Sequence, residues 1–332
     1  MDNLELDRAE LEELTLLLNE VECVFDDLES SVTLLQSAVY AHKIPSRLRF
    51  ALNEFRLGQM SGVLCISGYP VDQERLGPTP SHWRGRPVPS TARREELLLI
   101  LFSSLLGDPF CWATQQDGML IHDVFPIEGH ENGPLGSSSE SPLTWHTEDA
   151  FHPLRADFIS FACLRNPSAT ATTIGYVDSL DLPDEAKAVL FQQRFSIRPD
   201  ESHLAKNNSG RDSAKFANIN KMWADPDPVA VLFGDPDQPY IRADPYFMTV
   251  RTEDQEARWA LEQLIGQMDK QMFDLQLESG DFCFLDNFRV VHGRKPFRAR
   301  YDGTDRWLKR LNISCDLRKS RAARPPGSRA IR

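Results

Sequence analysis

The chain has 332 residues, 41% hydrophobic and 26% charged, an ordinary balance for a globular protein that buries a real core. A net charge of −12 excludes the basic stripe that nucleic-acid binding requires. No apolar run approaches the length of a membrane span, and the acidic start Met1-Asp2-Asn3-Leu4-Glu5 lacks a secretory pattern, so a cytoplasmic protein is expected. From the N-terminus to about residue 60, apolar residues recur at helical spacing, with Leu11, Leu14, Leu17, Leu18, Val21, Val24 and Phe25 on one stripe. A second packing helix is expected over 46–55. Residues 62–68 read as a strand closed by the turn Gly68-Tyr69-Pro70, and a Pro-rich loop follows over 77–89. Thr91 then suits the N-cap of an apolar helix that runs to about Leu106.

Beyond Phe110 the texture changes. Short β-favouring runs alternate with turns at 118–124, 158–164, 172–177, 193–197, 229–233, 240–242, 281–285, 289–292 and 309–315, with one late helix over about 253–273. Such a pattern predicts a mainly β, α+β protein with a jelly-roll or barrel core and helices packed outside. No internal repeat or long linker divides it, so residues 1–317 read as one domain. The tail 318–332 is basic and rich in Pro, Ala, Gly and Ser, a composition that predicts disorder. The six cysteines are scattered without a CxxC pair and read as reduced, mostly buried thiols.

The chemistry concentrates in two segments. In extended chain, residues two apart point the same way, so His146 and Glu148 of Leu143-Thr144-Trp145-His146-Thr147-Glu148-Asp149 can face one centre. His292, in Val290-Val291-His292-Gly293, offers a third ligand. Two imidazoles and one carboxylate on one side of a metal leave positions free for substrate and O₂, as in the facial triad of non-haem iron(II) oxygenases. Arg306 lies fourteen residues after His292, where a returning strand would bring it alongside. Its planar guanidinium suits the far carboxylate of a 2-oxoglutarate chelated to iron. His152 and His203 are read as structural, and Trp145 and Phe151 as packing residues.

His146-Thr147-Glu148-Asp149-Ala150-Phe151-His152-Pro153-Leu154-Arg155-Ala156-Asp157, with Cys163-Leu164-Arg165-Asn166, resembles the clavaminate synthase-like branch of iron(II)/2-oxoglutarate oxygenases. The block Asp286-Asn287-Phe288-Arg289-Val290-Val291-His292-Gly293-Arg294-Lys295-Pro296-Phe297, the run Asp305–Arg310, and Trp112–Gly118 resemble the same branch. The resemblance extends to its asparagine oxygenase and arginine β-hydroxylase members, from nonribosomal peptide pathways. The matches span about residues 107–312. The resemblance implies a double-stranded β-helix (jelly-roll) fold, Fe(II) as cofactor, 2-oxoglutarate and O₂ as cosubstrates, and hydroxylation of C3 or C4 of a free L-amino acid. It further implies that Arg306 holds 2-oxoglutarate, helped by a hydroxyl at Thr172 or Thr173. Arg310 would hold the substrate α-carboxylate, and Gln115 with the free oxygen of Glu148 the α-amine. Asp244 would read the side chain. The arginine enzymes carry a second Asp two residues on, where this chain has Tyr246. Asp244 alone, or with Asp200, suits lysine or arginine first and asparagine or another polar amino acid next. A carrier-bound aminoacyl group and a non-enzymatic ligand-binding jelly roll are the remaining readings. The Gly- and Ser-rich stretch 128–141 is expected to act as a lid.

Overall fold

The computed structural model describes residues 1–208 and 214–332. Two β-sheets form its centre. The larger contains, in order, the strands Asp2–Glu5, Val63–Ser67, Phe282–Asp286, Phe158–Arg165, Trp307–Ser314, Asp108–Trp112 and Ala330–Ile331, with His122–Val124 also pairing Trp307–Ser314. The smaller runs Phe273–Leu275, Thr172–Tyr176, Val290–Arg294, Leu143–His146.

The period-two alternation of strand side chains explains the layering. Ile159, Phe161 and Cys163, with Val63, Cys65, Cys283 and Leu285, meet Ile174, Val290 and Leu275 of the smaller sheet in one apolar cluster. The intervening residues Phe158, Ala162, Leu64, Ile66, Phe282 and Phe284 point the other way. There they pack against the helices Arg8–Val24, Ser31–Tyr40, Ser46–Arg56 and Arg93–Leu106. A strand buried on both faces needs this continuous apolar run, and Phe158–Arg165 supplies it. The outer side of the smaller sheet is covered by Asp184–Leu190 and Gln255–Gln271. This is the double-stranded β-helix expected from the sequence, with helices outside.

Three local expectations are corrected. The helix Arg93–Leu106 is capped at Ala92 without a side-chain bond, because Ser90 Oγ, not Thr91, accepts the Ala92 N–H and then binds Glu96. The helices Asp184–Leu190 and Ala217–Ala224 were not foreseen, being too short to display a helical stripe. The tail is not disordered. Leu317–Ala323 forms 3₁₀ turns, Ile331 is buried, and Ala330–Ile331 lies parallel to Cys111–Trp112. The buried Ile331, with Leu317 just before the tail, outweighs the basic composition, and Arg324 donates to the carbonyls of Leu317 and Ser328.

Candidate active site

The site lies on the face of the smaller sheet that looks toward the larger one. His292 and His146 are register partners on antiparallel strands, and their ring centroids lie 4.6 Å apart. The close approach depends on the residue after His292. A Cβ on Gly293 would stand 2.5 Å from the Leu143 carbonyl oxygen, so only glycine lets the strands meet there.

Glu148 follows the strand Leu143–His146. Its main chain is clamped by Asn287, whose Oδ1 accepts the Glu148 N–H at 2.9 Å and whose Nδ2 donates to the Glu148 carbonyl at 3.1 Å. Thr147 N donates to the Ala243 carbonyl at 2.8 Å, fixing the preceding residue. Glu148 Oε2 thus stands 3.3 Å from His292 Nε2 and 3.7 Å from His146 Nε2. The three ligand atoms all lie within 4.8 Å of one another. His146 Nδ1 donates to the Thr144 carbonyl at 2.9 Å, which leaves the Nε2 lone pair facing the centre. Burial alone would raise the Glu148 carboxyl, but Arg310 and the two imidazoles outweigh it and hold the pKa well below the ordinary range. Two imidazole nitrogens and a permanent carboxylate are the donor set that iron(II) takes in a facial triad.

Arg306 is buried beside this centre. Its Nη2 donates to Thr172 Oγ1 at 3.3 Å, its Nε has no partner among the described residues, and burial pushes its pKa down to about 10. An uncompensated buried cation is costly, so its surroundings fit an incoming carboxylate. Thr173, named alongside Thr172 from the sequence, is on the wrong face. The register pairs His292 with Ile174 and Arg294 with Thr172, which leaves Thr173 opposite Gly293 on the other side of the sheet. Thr172 is the hydroxyl in place.

On the facing strand, the Arg310 guanidinium contacts Glu148 Oε1, and its Nη2 donates to Gln115 Oε1 at 2.8 Å and to His122 Nδ1 at 2.9 Å. The Gln115 amide continues to Ser202 Oγ at 2.6 Å. Asp244 accepts the Tyr246 N–H at 3.1 Å, and burial pushes its carboxyl up to about 6, with Asp200 adding to the effect. His146, Glu148, His292, Arg306, Arg310, Gln115, Asp244 and Asp200 all border one cavity of about 400 Å³. Residues 132–137, within the stretch expected to act as a lid, form part of its wall. The buried Arg294 holds that loop through the Ser138 hydroxyl at 3.1 Å and the Ser141 carbonyl at 2.8 Å.

His203 is fully buried and bonds Asp149 Oδ1 and Thr114 Oγ1, each at 2.9 Å. His152 Nδ1 accepts the Leu154 N–H at 3.0 Å. Asn287, Thr172, Arg294 and His122 were given no firm role from the sequence. Asn287 and Arg294 stood within quoted motifs, and the remaining signal is a register that only the paired strands reveal.

A jelly roll with a two-histidine, one-carboxylate centre and a buried orphan arginine beside it defines the non-haem iron(II), 2-oxoglutarate-dependent oxygenases. Residues 102–312 match the taurine catabolism dioxygenase TauD, TfdA family, and the chain belongs to that family. It is 48% identical to the enduracididine beta-hydroxylase of Streptomyces hygroscopicus over 90% of both chains. It is 44% identical to the L-ornithine/L-arginine 3-hydroxylase of Catenulispora acidiphila, covering 92% of this chain and 93% of that one. The crystal structure of the non-heme iron oxygenase OrfP with Fe, succinate and (3S)-hydroxy-L-Arg superposes with a TM-score of 0.96 and 45% identity over both whole chains. OrfP with Fe and alpha-ketoglutaric acid matches at a TM-score of 0.90. This chain is accordingly a 2-oxoglutarate-dependent iron dioxygenase. No helix among the described residues is long and apolar enough to cross a membrane.

Proposed function

We propose that this dioxygenase hydroxylates C3 of a free, cationic L-amino acid, with a guanidine-bearing side chain preferred. The observation that carries the reading is the polarity of one cavity. It has an arginine, Arg310, beside the metal-binding carboxylate and the acids Asp244 and Asp200 among its other walls.

When bound, iron(II) with 2-oxoglutarate and O₂ supplies the oxidant that converts a C–H bond to C–OH while 2-oxoglutarate leaves as succinate and CO₂. His146, Glu148 and His292 hold the metal. Arg306 and Thr172 fix the distal carboxylate of 2-oxoglutarate by a charge-assisted pair. The amino acid replaces the direct contact between Arg310 and Glu148. Its carboxylate takes Arg310, and its ammonium takes Glu148 Oε1 and Gln115 Oε1. Holding both ends of the α-carbon next to the metal presents C3, which is covalently adjacent, to the oxidant. Asp244 and Asp200 then attract the cationic end of the side chain, and a planar fork uses two acids better than an ammonium does. The similarity to a β-hydroxylase and a 3-hydroxylase of basic amino acids supports the same carbon.

A carboxamide could also donate to Asp244, and the L-asparagine oxygenase of Streptomyces coelicolor is 34% identical. Arg310 disfavours a carrier-bound thioester, which lacks a free carboxylate. The test is turnover of the twenty L-amino acids, ornithine and homoarginine with Fe(II), ascorbate and 2-oxoglutarate. Mass spectrometry reads the gain of one oxygen, and NMR reads the carbon. Oxygen at C3 of basic amino acids is expected. Turnover confined to asparagine, or to a thioester, would overturn the reading.

A further inference from the structure

Arg310 can orient a substrate carboxylate only if its own guanidinium is held still. Arginine offers donors and no acceptor, so every partner that holds it must present a lone pair. Among the described residues it has three: Glu148 Oε1, Gln115 Oε1 and His122 Nδ1. The first two border the cavity, and in the proposed reaction both are drawn upon by the substrate ammonium. His122 is 2% exposed and, unlike those two, does not border the cavity.

The fold places it there by register. His122–Val124 pairs antiparallel with Trp307–Ser314, and His122 is the direct partner of Arg310, as Val124 is of Leu308. Direct partners project from the same face of a sheet with Cβ atoms about 5 Å apart, so imidazole and guanidinium lie side by side. Because the guanidinium can only donate, Nδ1 is the lone-pair nitrogen and the ring proton is on Nε2. Complete burial, with the Arg310 charge adding to it, keeps this ring neutral, its pKa well below the ordinary value for histidine.

We infer that His122 is a positioning residue for substrate recognition: a neutral acceptor that keeps Arg310 aimed at the α-carboxylate after Glu148 and Gln115 have turned to the α-amine. This rests on the proposed amino-acid reading. Its consequence is specific to one end of one ligand. Loss of the Nδ1 acceptor weakens capture of the amino-acid carboxylate and leaves 2-oxoglutarate, held by Arg306, untouched.

His122→Asn and His122→Leu test it, because the two side chains are matched in size and only asparagine keeps an acceptor near the Nδ1 position. KM for the preferred amino acid, KM for 2-oxoglutarate, and the preference for the free acid over its α-amide are measured with the full-length iron-loaded enzyme. His122→Leu is expected to raise the amino-acid KM about tenfold or more, the scale of a lost hydrogen bond to a charged group. It should also shrink the acid-over-amide preference and leave the 2-oxoglutarate KM unchanged, with His122→Asn close to wild type. If the leucine variant is insoluble, His122→Ala replaces it. An unchanged amino-acid KM in the acceptor-free variant, or an equal rise for the amide and for 2-oxoglutarate, overturns the inference while wild-type turnover keeps the amino-acid reading. Failure of the wild-type enzyme on every basic amino acid overturns both.

Discussion

Arg306 and Arg310 face the same cavity from one stretch of chain, yet only Arg310 has an anionic partner. Among the described residues Arg310 rests against Glu148, Gln115 and His122, whereas Arg306 has a single hydroxyl contact at 3.3 Å; the Nε of each is buried and unbonded. The difference sorts the two acids of the reaction. On the proposed reading, the arginine with an anionic partner exchanges it when substrate arrives, and the arginine without one takes the carboxylate of 2-oxoglutarate. Arg306→Met should therefore raise the KM for 2-oxoglutarate about thirtyfold or more, corresponding to ~2–3 kcal/mol for a lost charge-assisted pair. The amino-acid KM should change little. Steady-state kinetics with each substrate varied in turn checks this, and an unaltered 2-oxoglutarate KM would remove Arg306 from the role.

Metal retention depends on the three side chains at the centre. His146→Ala or His292→Ala leaves two ligands and should abolish turnover, with iron content after desalting falling from about one per chain to near zero. Asn287→Ala should act indirectly. It removes both bonds that clamp the Glu148 main chain, so iron affinity should drop about tenfold or more while the triad itself is intact. Iron binding measured by titration separates the two cases, and wild-type affinity in Asn287→Ala would show that the clamp is dispensable.

On the proposed reading, Asp244 should give the reaction a pH signature. Burial pushes its carboxyl up to about 6, so it is charged above that pH and neutral below it. A cationic side chain is attracted only to the charged form. The kcat/KM for the preferred basic amino acid should accordingly fall as pH drops through about 6, since this parameter reports groups of the free enzyme. In Asp244→Asn the acid limb should disappear, kcat/KM for cations should be lower at neutral pH, and preference should move toward uncharged side chains. An unchanged profile in the variant would clear Asp244 of the role.

The triad was legible in the sequence because its geometry is local: the two-residue spacing of His146 and Glu148 works in any extended strand. The β core was legible for a similar reason, since short β-favouring runs such as 158–164 and 281–285, set off by turn residues, need no partner to be seen. What could not be read was parity between strands. Thr172 and Thr173 are adjacent, and choosing between them requires the pairing of His292 with Ile174. His122 was silent because a lone histidine beside an aspartate looks like an ordinary core residue until its partner strand is known. The course of the tail is not legible because composition averages over fifteen residues, whereas the buried Ile331 and the Leu317 that precedes the tail decide it.

The strand Trp307–Ser314, which carries Arg310 and begins just after Arg306, is itself held by a buried charge cluster on the face opposite Arg310. Lys309 is fully buried, with Nζ 2.8 Å from Glu96 Oε1 and 2.5 Å from Asp123 Oδ1, and Trp307 Nε1 donates to Asp123 at 2.7 Å. Removing the cation leaves Glu96 without an ion-pair partner among the described residues and Asp123 with Arg86 at 3.7 Å, so Lys309→Met should destabilise the fold by about 3–5 kcal/mol, read from urea denaturation. Neutralising the stranded acid as well, with Glu96→Gln in the same chain, should recover most of that loss. The pH dependence follows from the signs. Burial would raise the Glu96 carboxyl, but Lys309 outweighs it and holds the pKa below the ordinary value. Burial would lower the Lys309 ammonium, but Glu96 and Asp123 outweigh it and raise it. The Glu96 contribution is therefore complete at neutral pH and lost in acid as the carboxyl protonates in the folded state. The Lys309 contribution is likewise complete at neutral pH and lost in strong alkali. A Lys309→Met protein as stable as wild type at pH 7 would show that the cluster does not secure the strand.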